Sequence, residues 1–134
     1  MSTIRKFILV DDDSVNNLIS TIIITEALNK ADITSFQVPE TALAFIGQKY
    51  LQNIEPTILF LDLNMPTLSG WEFMEEYLQF PEGIKEQISI YILTSSIDDR
   101  DKDKANNYDN IAGFITKPLE EKLIVSLAGL AIGA

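Results

Sequence analysis

The chain has 134 residues, 46% of them hydrophobic, and carries 20 acidic against 10 basic residues for a net charge of −10. That suits one globular domain with one core and argues against nucleic-acid partners, because phosphate contacts need clustered Lys and Arg. It has no Cys and no His, which excludes disulfides, thiolate or imidazole metal ligands, His-based triads and a phosphohistidine made within the chain, and leaves carboxylates, hydroxyls, Lys and backbone for any chemistry.

No run of about 18 apolar residues is present to span a bilayer, and Met1 to Lys6 leads into a strand-like segment rather than a secretory signal. We therefore expect a soluble, cytoplasmic protein that neither crosses nor lies on a membrane. Phe7 to Val10 is the first short apolar run and is followed by Asp11-Asp12-Asp13. Asp13 and Ser14 then cap a helix in which Val15, Leu18, Ile19, Ile22 and Ile23 fall at helical spacing, a pattern that outweighs the poor helical propensity of its β-branched run. Thr34 to Val38 reads as a weaker, edge-like strand, and Pro39 opens a second helix carrying Leu43 and Ile46.

Thr57 to Leu61 is a strand that runs into Asp62, and Gly70 reads as a turn glycine with no chemistry of its own. Trp71, Met74 and Leu78 stripe a third helix that stops near Pro81 and Gly83. Ile88 to Leu93 is a strand followed by Thr94-Ser95-Ser96. Asp98 to Tyr108 has four Asp against three basic residues and no apolar stripe, which predicts a solvated, weakly held helix or loop. Ile111 to Thr116 is a weaker strand ahead of Lys117-Pro118, and Leu123, Ile124, Leu127 and Leu130 stripe the last helix. Its end, LAGLAIGA, is more apolar than a surface helix needs, which points to packing on the sheet or to a dimer contact. Without repeats, low-complexity tracts or a linker, residues 1–134 read as one domain with no output domain.

Strands alternating with helices predict an α/β fold with a parallel sheet, whose ligand site lies beyond the carboxyl ends of the strands. The residues there are Asp11 to Asp13, Asp62, Thr94 to Ser96, and Lys117. Two carboxylates about 4 Å apart repel by roughly 4 kcal/mol at an effective dielectric near 20, a strain that a bound cation reverses. With oxygen ligands alone, Mg²⁺ is the natural ion, commonly with phosphate oxygens as co-ligands. Carboxylates, a metal, a hydroxyl and a lysine together suggest phosphoryl transfer.

ILVDDD, LDLNMPTLSG, YILTSS and GFITKP resemble, in order and position, the motifs of the receiver domain of two-component response regulators, of which the chemotaxis response regulator is a single-domain form. The resemblance implies a flavodoxin-like, five-stranded sheet of order 2-1-3-4-5 with helices on both faces. It implies that Asp62 accepts a phosphoryl group, that Asp12 binds Mg²⁺ directly and Asp11 through water, and that the backbone carbonyl of Asn64 completes the protein's contacts to the ion. Lys117 would pair with the phosphoryl group, the Thr94 hydroxyl would bond to it, and Phe114 would hold the switch position. Asn64 and Ser96 would tune the lifetime of the acyl phosphate, and the Lys117–Pro118 bond would be cis. The surface of the fourth helix, fifth strand and fifth helix would change on phosphorylation.

The implied partners are a sensor histidine kinase or histidine phosphotransfer protein and a downstream protein, with the chain a monomer or weak dimer that catalyses only its own phosphorylation and dephosphorylation. Plainer readings stand beside these, with Asp11 to Asp13 as helix caps and Phe114 as core. A haloacid-dehalogenase-type phosphatase is the enzymatic alternative, weakened because Asn64 stands where that family needs a general acid. An unphosphorylated docking module is the other.

Overall fold

The structure, a computed structural model, describes residues 4–50, 55–63, 65, 68–95 and 98–133. Its elements run β1 (Lys6–Val10), α1 (Ser14–Ala27), β2 (Asp32–Phe36), α2 (Pro39–Lys49), β3 (Thr57–Leu61), α3 (Gly70–Tyr77), α4 (Glu82–Lys85), β4 (Ile88–Thr94), α5 (Asp99–Ala105), β5 (Ile111–Thr116) and α6 (Glu121–Gly133). The five strands pair in parallel in the order β2-β1-β3-β4-β5, the expected flavodoxin-like topology. β3 is central and all five of its residues are buried, which is why it reads as an unbroken apolar run.

Successive strand residues point to opposite faces, so each strand feeds two cores. Ile8, Val10, Leu59, Leu61, Ile90 and Ile92 pack with Ala42 and Ile46 of α2 and Phe73, Met74 and Tyr77 of α3. Phe7, Leu9, Ile58, Phe60 and Leu93 pack on the opposite face with Ile24 of α1 and Ile124, Leu127 and Ala128 of α6. The apolar C-terminal helix thus packs on the sheet; the Leu130 side chain lies outside the described residues. No helix among the described residues is long and apolar enough to cross a membrane.

Several local expectations are corrected. β2 begins and ends two residues earlier than its apolar pattern indicates, because Asp32 pairs in register with Lys6 and the two side chains form an ion pair at 2.8 Å. Val38 consequently leaves the sheet to cap α2, where Pro39 takes the first turn as expected. In α3 the inward residues are Phe73, Met74 and Tyr77, with Trp71 and Leu78 only half-buried. A short extra helix, α4, precedes β4, so α5 corresponds to the fourth helix of the resemblance. As expected of Asp98 to Tyr108, α5 is a single charged segment that buries only Ala105.

The largest reversal is in α1. Four of its five stripe residues face outward, Val15, Leu18, Ile19 and Ile22 being 58, 59, 43 and 49% exposed, and only Ile23 is half-buried against the core. The residues turned inward are Asn17, Ser20 and Ile24. The inner surface near the end of β1 offers backbone carbonyls, and the Asn17 amide meets them.

Candidate functional site

Register creates the site. Val10 pairs with Leu61 of β3 and with Phe36 of β2, so β1 and β3 end level and release Asp11 and Asp62 side by side, with the Asp62 N–H bonded to the Val10 carbonyl at 2.9 Å. Thr94 pairs with Thr116 at the ends of β4 and β5, and the N–H of Lys117 is held by the Thr94 carbonyl at 2.8 Å. Four segments distant in sequence therefore meet at one edge, as the placement of their residues after the strands predicts.

Carboxylate oxygens of Asp11, Asp12 and Asp62 lie within 4.8 Å of one another. Asp11 and Asp62 are buried and Asp12 is half-buried. The Lys117 ammonium sits 2.7 Å from Oδ2 of Asp11 and 3.8 Å from Oδ1 of Asp62, and the Lys117–Pro118 bond is cis, as the resemblance implies. Three carboxylates facing one ammonium leave an excess of negative charge in a poorly solvated pocket, and hard oxygen donors this close suit a small divalent cation. The residues present fit Mg²⁺, with Asp11, Asp12 and Asp62 as the side chains that would hold it.

Asp11 is held at every polar group. Its N–H bonds the Phe36 carbonyl at 3.1 Å, its carbonyl accepts from Asn17 at 2.9 Å, its Oδ1 accepts from the Asp13 N–H at 2.9 Å, and its Oδ2 accepts from Lys117. Asp13 is a cap and nothing more in this geometry, its Oδ1 accepting from the Val15 N–H at 2.9 Å. Hydropathy gives no signal for Asn17, which looks like a polar interruption of an apolar helix. The informative clue is its position, one turn past the acidic run.

Gly70 corrects a second expectation. It is the first residue of α3 rather than a turn, and a Cβ placed on it would come within 2.8 Å of the Asp62 carbonyl oxygen and of Leu63 Cα. The lack of a side chain lets the helix approach the backbone of Asp62 itself, with the Gly70 N–H bonded to the Leu63 carbonyl at 3.0 Å. Ser69 caps that helix and, with Glu72, forms a capping box.

Thr94 is buried at the tip of β4. Phe114 pairs with Ile92, is half-buried, and lines a surface groove of 570 Å³ with Lys102, Asp103, Ala105, Asn106 and Ile111. It packs at the edge of the core beneath α2 and α3 and lies outside the acidic cluster. Asn64 and Ser96, expected as a metal contact and as lifetime-tuning positions, lie outside the described residues.

The model of the family described as the response regulator receiver domain matches residues 7–128. No curated protein matches the chain. Among solved structures, a two-component response regulator from Cytophaga hutchinsonii is 28% identical with a TM-score of 0.89, over 99% of this chain and 100% of that one. A response regulator receiver protein from Dyadobacter fermentans is 25% identical with a TM-score of 0.83, over 95 and 97%. The Vibrio cholerae chemotaxis protein CheY4, at 21% identity, a TM-score of 0.70 and coverage of 96 and 98%, is similar in fold.

Proposed function

Because the chain belongs to the response regulator receiver domain family, we propose that it accepts a phosphoryl group on Asp62 from the phosphohistidine of a sensor kinase or phosphotransfer protein and signals through protein contacts. The observation that carries this reading is the meeting of Asp11, Asp12, Asp62 and Lys117 at the carboxyl edge of the sheet. The donor imidazole lies outside these 134 residues, which contain no His. One Asp62 carboxylate oxygen attacks phosphorus in line, the P–N bond breaks as the P–O bond forms, and the imidazole leaves and takes up a proton. Lys117 pairs with a phosphoryl oxygen, which requires it to release Asp11, and Thr94 donates its hydroxyl to another. Mg²⁺, when bound, neutralises charge on the transferring oxygens.

The outward stripe of α1 gives the donor a place to lie. Val15, Leu18, Ile19 and Ile22 repeat at the spacing of a helix-packing seam, and the helix starts right after the acidic loop. A histidine-bearing helical domain seated there would face the rim that holds Asp62. Asn64, two positions past Asp62, cannot serve as the general acid of a phosphatase, and the complete carboxylate set argues against an unphosphorylated docking module.

The test is labelling by a small phosphodonor such as acetyl phosphate. The reading expects acid-labile, Mg²⁺-dependent label that is absent from Asp62→Asn; label undiminished in excess EDTA, or at comparable yield in the variant, refutes it.

A further inference from the structure

The loop that carries Asp11 and Asp12 is gripped from outside by two side-chain amides. Asn17 Nδ2 donates to the Asp11 carbonyl at 2.9 Å and reaches the Phe36 carbonyl at 3.4 Å. Gln37 Nε2 reaches the Asp12 carbonyl at 3.4 Å. Both amides line the same cleft, between the start of α1 and the end of β2, together with Ser14, Leu18, Thr21 and Ser35. Asn17 is buried while Val15, Leu18, Ile19 and Ile22 of the same helix face solvent, a costly arrangement for an amide unless its hydrogen bonds are needed there. Both of its neighbours are acceptors, so the NH₂ end must face them, and no carboxylate or apolar side chain of that size can replace it.

We propose that Asn17 is a positioning residue for the cation site, assisted by Gln37, and that holding the Asp11 and Asp12 carbonyls sets the site's preference for Mg²⁺ over Ca²⁺. This rests on the reading of the acidic cluster as a metal-dependent acceptor. Mg²⁺ demands nearly octahedral oxygens at short distance, whereas Ca²⁺ accepts longer and less regular coordination. A loop pinned at both carbonyls cannot spread to follow the larger ion. Loosening it therefore weakens Mg²⁺ binding more than Ca²⁺ binding, whereas a general loss of stability affects the two ions alike.

The experiment is calorimetric titration of MgCl₂ and CaCl₂ into wild type, Asn17→Ala, Gln37→Ala and Ser20→Ala, the last removing another buried polar group from the same helix face. Asn17→Ala is expected to weaken Mg²⁺ about 10-fold, in the range of lost outer-shell contacts, and Ca²⁺ about twofold. Gln37→Ala should shift the Mg²⁺/Ca²⁺ ratio in the same direction by less, and Ser20→Ala should leave it in place. Gln37 is exposed, so its variant keeps the test alive if Asn17→Ala does not fold. An unchanged ratio in every variant that folds, with wild type binding Mg²⁺, overturns the proposal alone. A wild type that takes up no Mg²⁺ overturns it together with the reading beneath it.

Discussion

The Lys117 ammonium lies 2.7 Å from Oδ2 of Asp11, in a pair whose side chains are 18 and 8% exposed. The lysine thus acts as the resident cation of a carboxylate cluster, and metal and lysine compete for the same charge. Lys117→Met should lower the stability of the protein in EDTA by about 3 kcal/mol, because breaking a buried pair strands the carboxylate, and Mg²⁺ should restore most of it. Asp12→Ala removes repulsion at a half-buried position and should raise stability in EDTA by about 1 kcal/mol while abolishing Mg²⁺ binding. Urea unfolding with and without Mg²⁺ measures both; shifts of the same sign in EDTA would contradict this account.

Gly70→Ala should be costly and should disturb the acceptor. The new methyl meets the backbone of Asp62 and Leu63 at 2.8 Å, atoms that cannot yield without moving the carboxylate, so a loss of about 2–3 kcal/mol is expected. Gly83 provides the contrast. A Cβ there meets nothing within 4 Å, and Gly83→Ala in α4 should stabilise by about 0.5 kcal/mol. Thermal unfolding of the two variants checks the opposite signs.

Donor docking is separable from chemistry. Leu18 is 59% exposed, so Leu18→Lys should leave the fold and labelling by acetyl phosphate unchanged. Transfer from a phosphorylated histidine domain should fall about 10-fold or more, the size of a lost interface anchor. Equal transfer rates in wild type and variant would remove α1 from the docking surface.

α5 is tied to α3 by side chains rather than by the core. Trp71 stacks on Tyr108 at 5.7 Å, its Nε1–H donates to Asp101 at 3.3 Å, and the Lys104 ammonium lies 5.2 Å over its ring; the Tyr108 hydroxyl donates to Glu75. Motion of α5 should therefore be read by Trp71 emission. Beryllofluoride with Mg²⁺ should change that emission in wild type, and Thr94→Ala should lose most of the change, because in the proposed reading the Thr94 hydroxyl links the phosphorylated Asp62 to this face. If Phe114 turns inward into space that Thr94 vacates, it has no hydroxyl to satisfy either before or after the turn, so amide shifts should be modest and concentrate along Ile111 to Phe114 and α5. An undiminished response in Thr94→Ala would break the proposed coupling.

All four tyrosines ionise late. Burial pushes Tyr50, Tyr77 and Tyr91 up, and the bond to Glu75, aided by burial, pushes Tyr108 up to about 12. A phenol whose folded pKa is raised stabilises the fold fully below its unfolded value near 10 and loses that contribution as pH climbs through the folded value. Stability should therefore fall between about pH 10 and 12, and phenolate absorbance should stay low at pH 10.5 and rise with unfolding. A midpoint near 10 for all four residues would contradict the packing described.

The legible part of this protein is local. Each of Asp11, Asp62 and Thr94 closes or directly follows a short apolar run, and Lys117 follows β5; a parallel sheet aligns such ends at one edge, so pattern alone was enough to name the cluster, while the strand order came from the resemblance of the four motifs to a known family. What pattern misassigned depends on partners in other elements, however near in sequence. Hydropathy turns the α1 stripe inward, yet the space beneath α1 at the end of β1 is lined by the Asp11 and Phe36 carbonyls, which need a donor that an aliphatic side chain lacks and the Asn17 amide supplies. Gly70 reads as a turn until the Asp62 backbone is seen within 2.8 Å of its missing Cβ. Whether Lys117 chooses Asp11 or Asp62 turns on about an ångström between groups brought together from the two ends and the middle of the sequence. Coulomb and hydrogen-bond energies change steeply over that distance, and only the tertiary packing of strands and helices sets it.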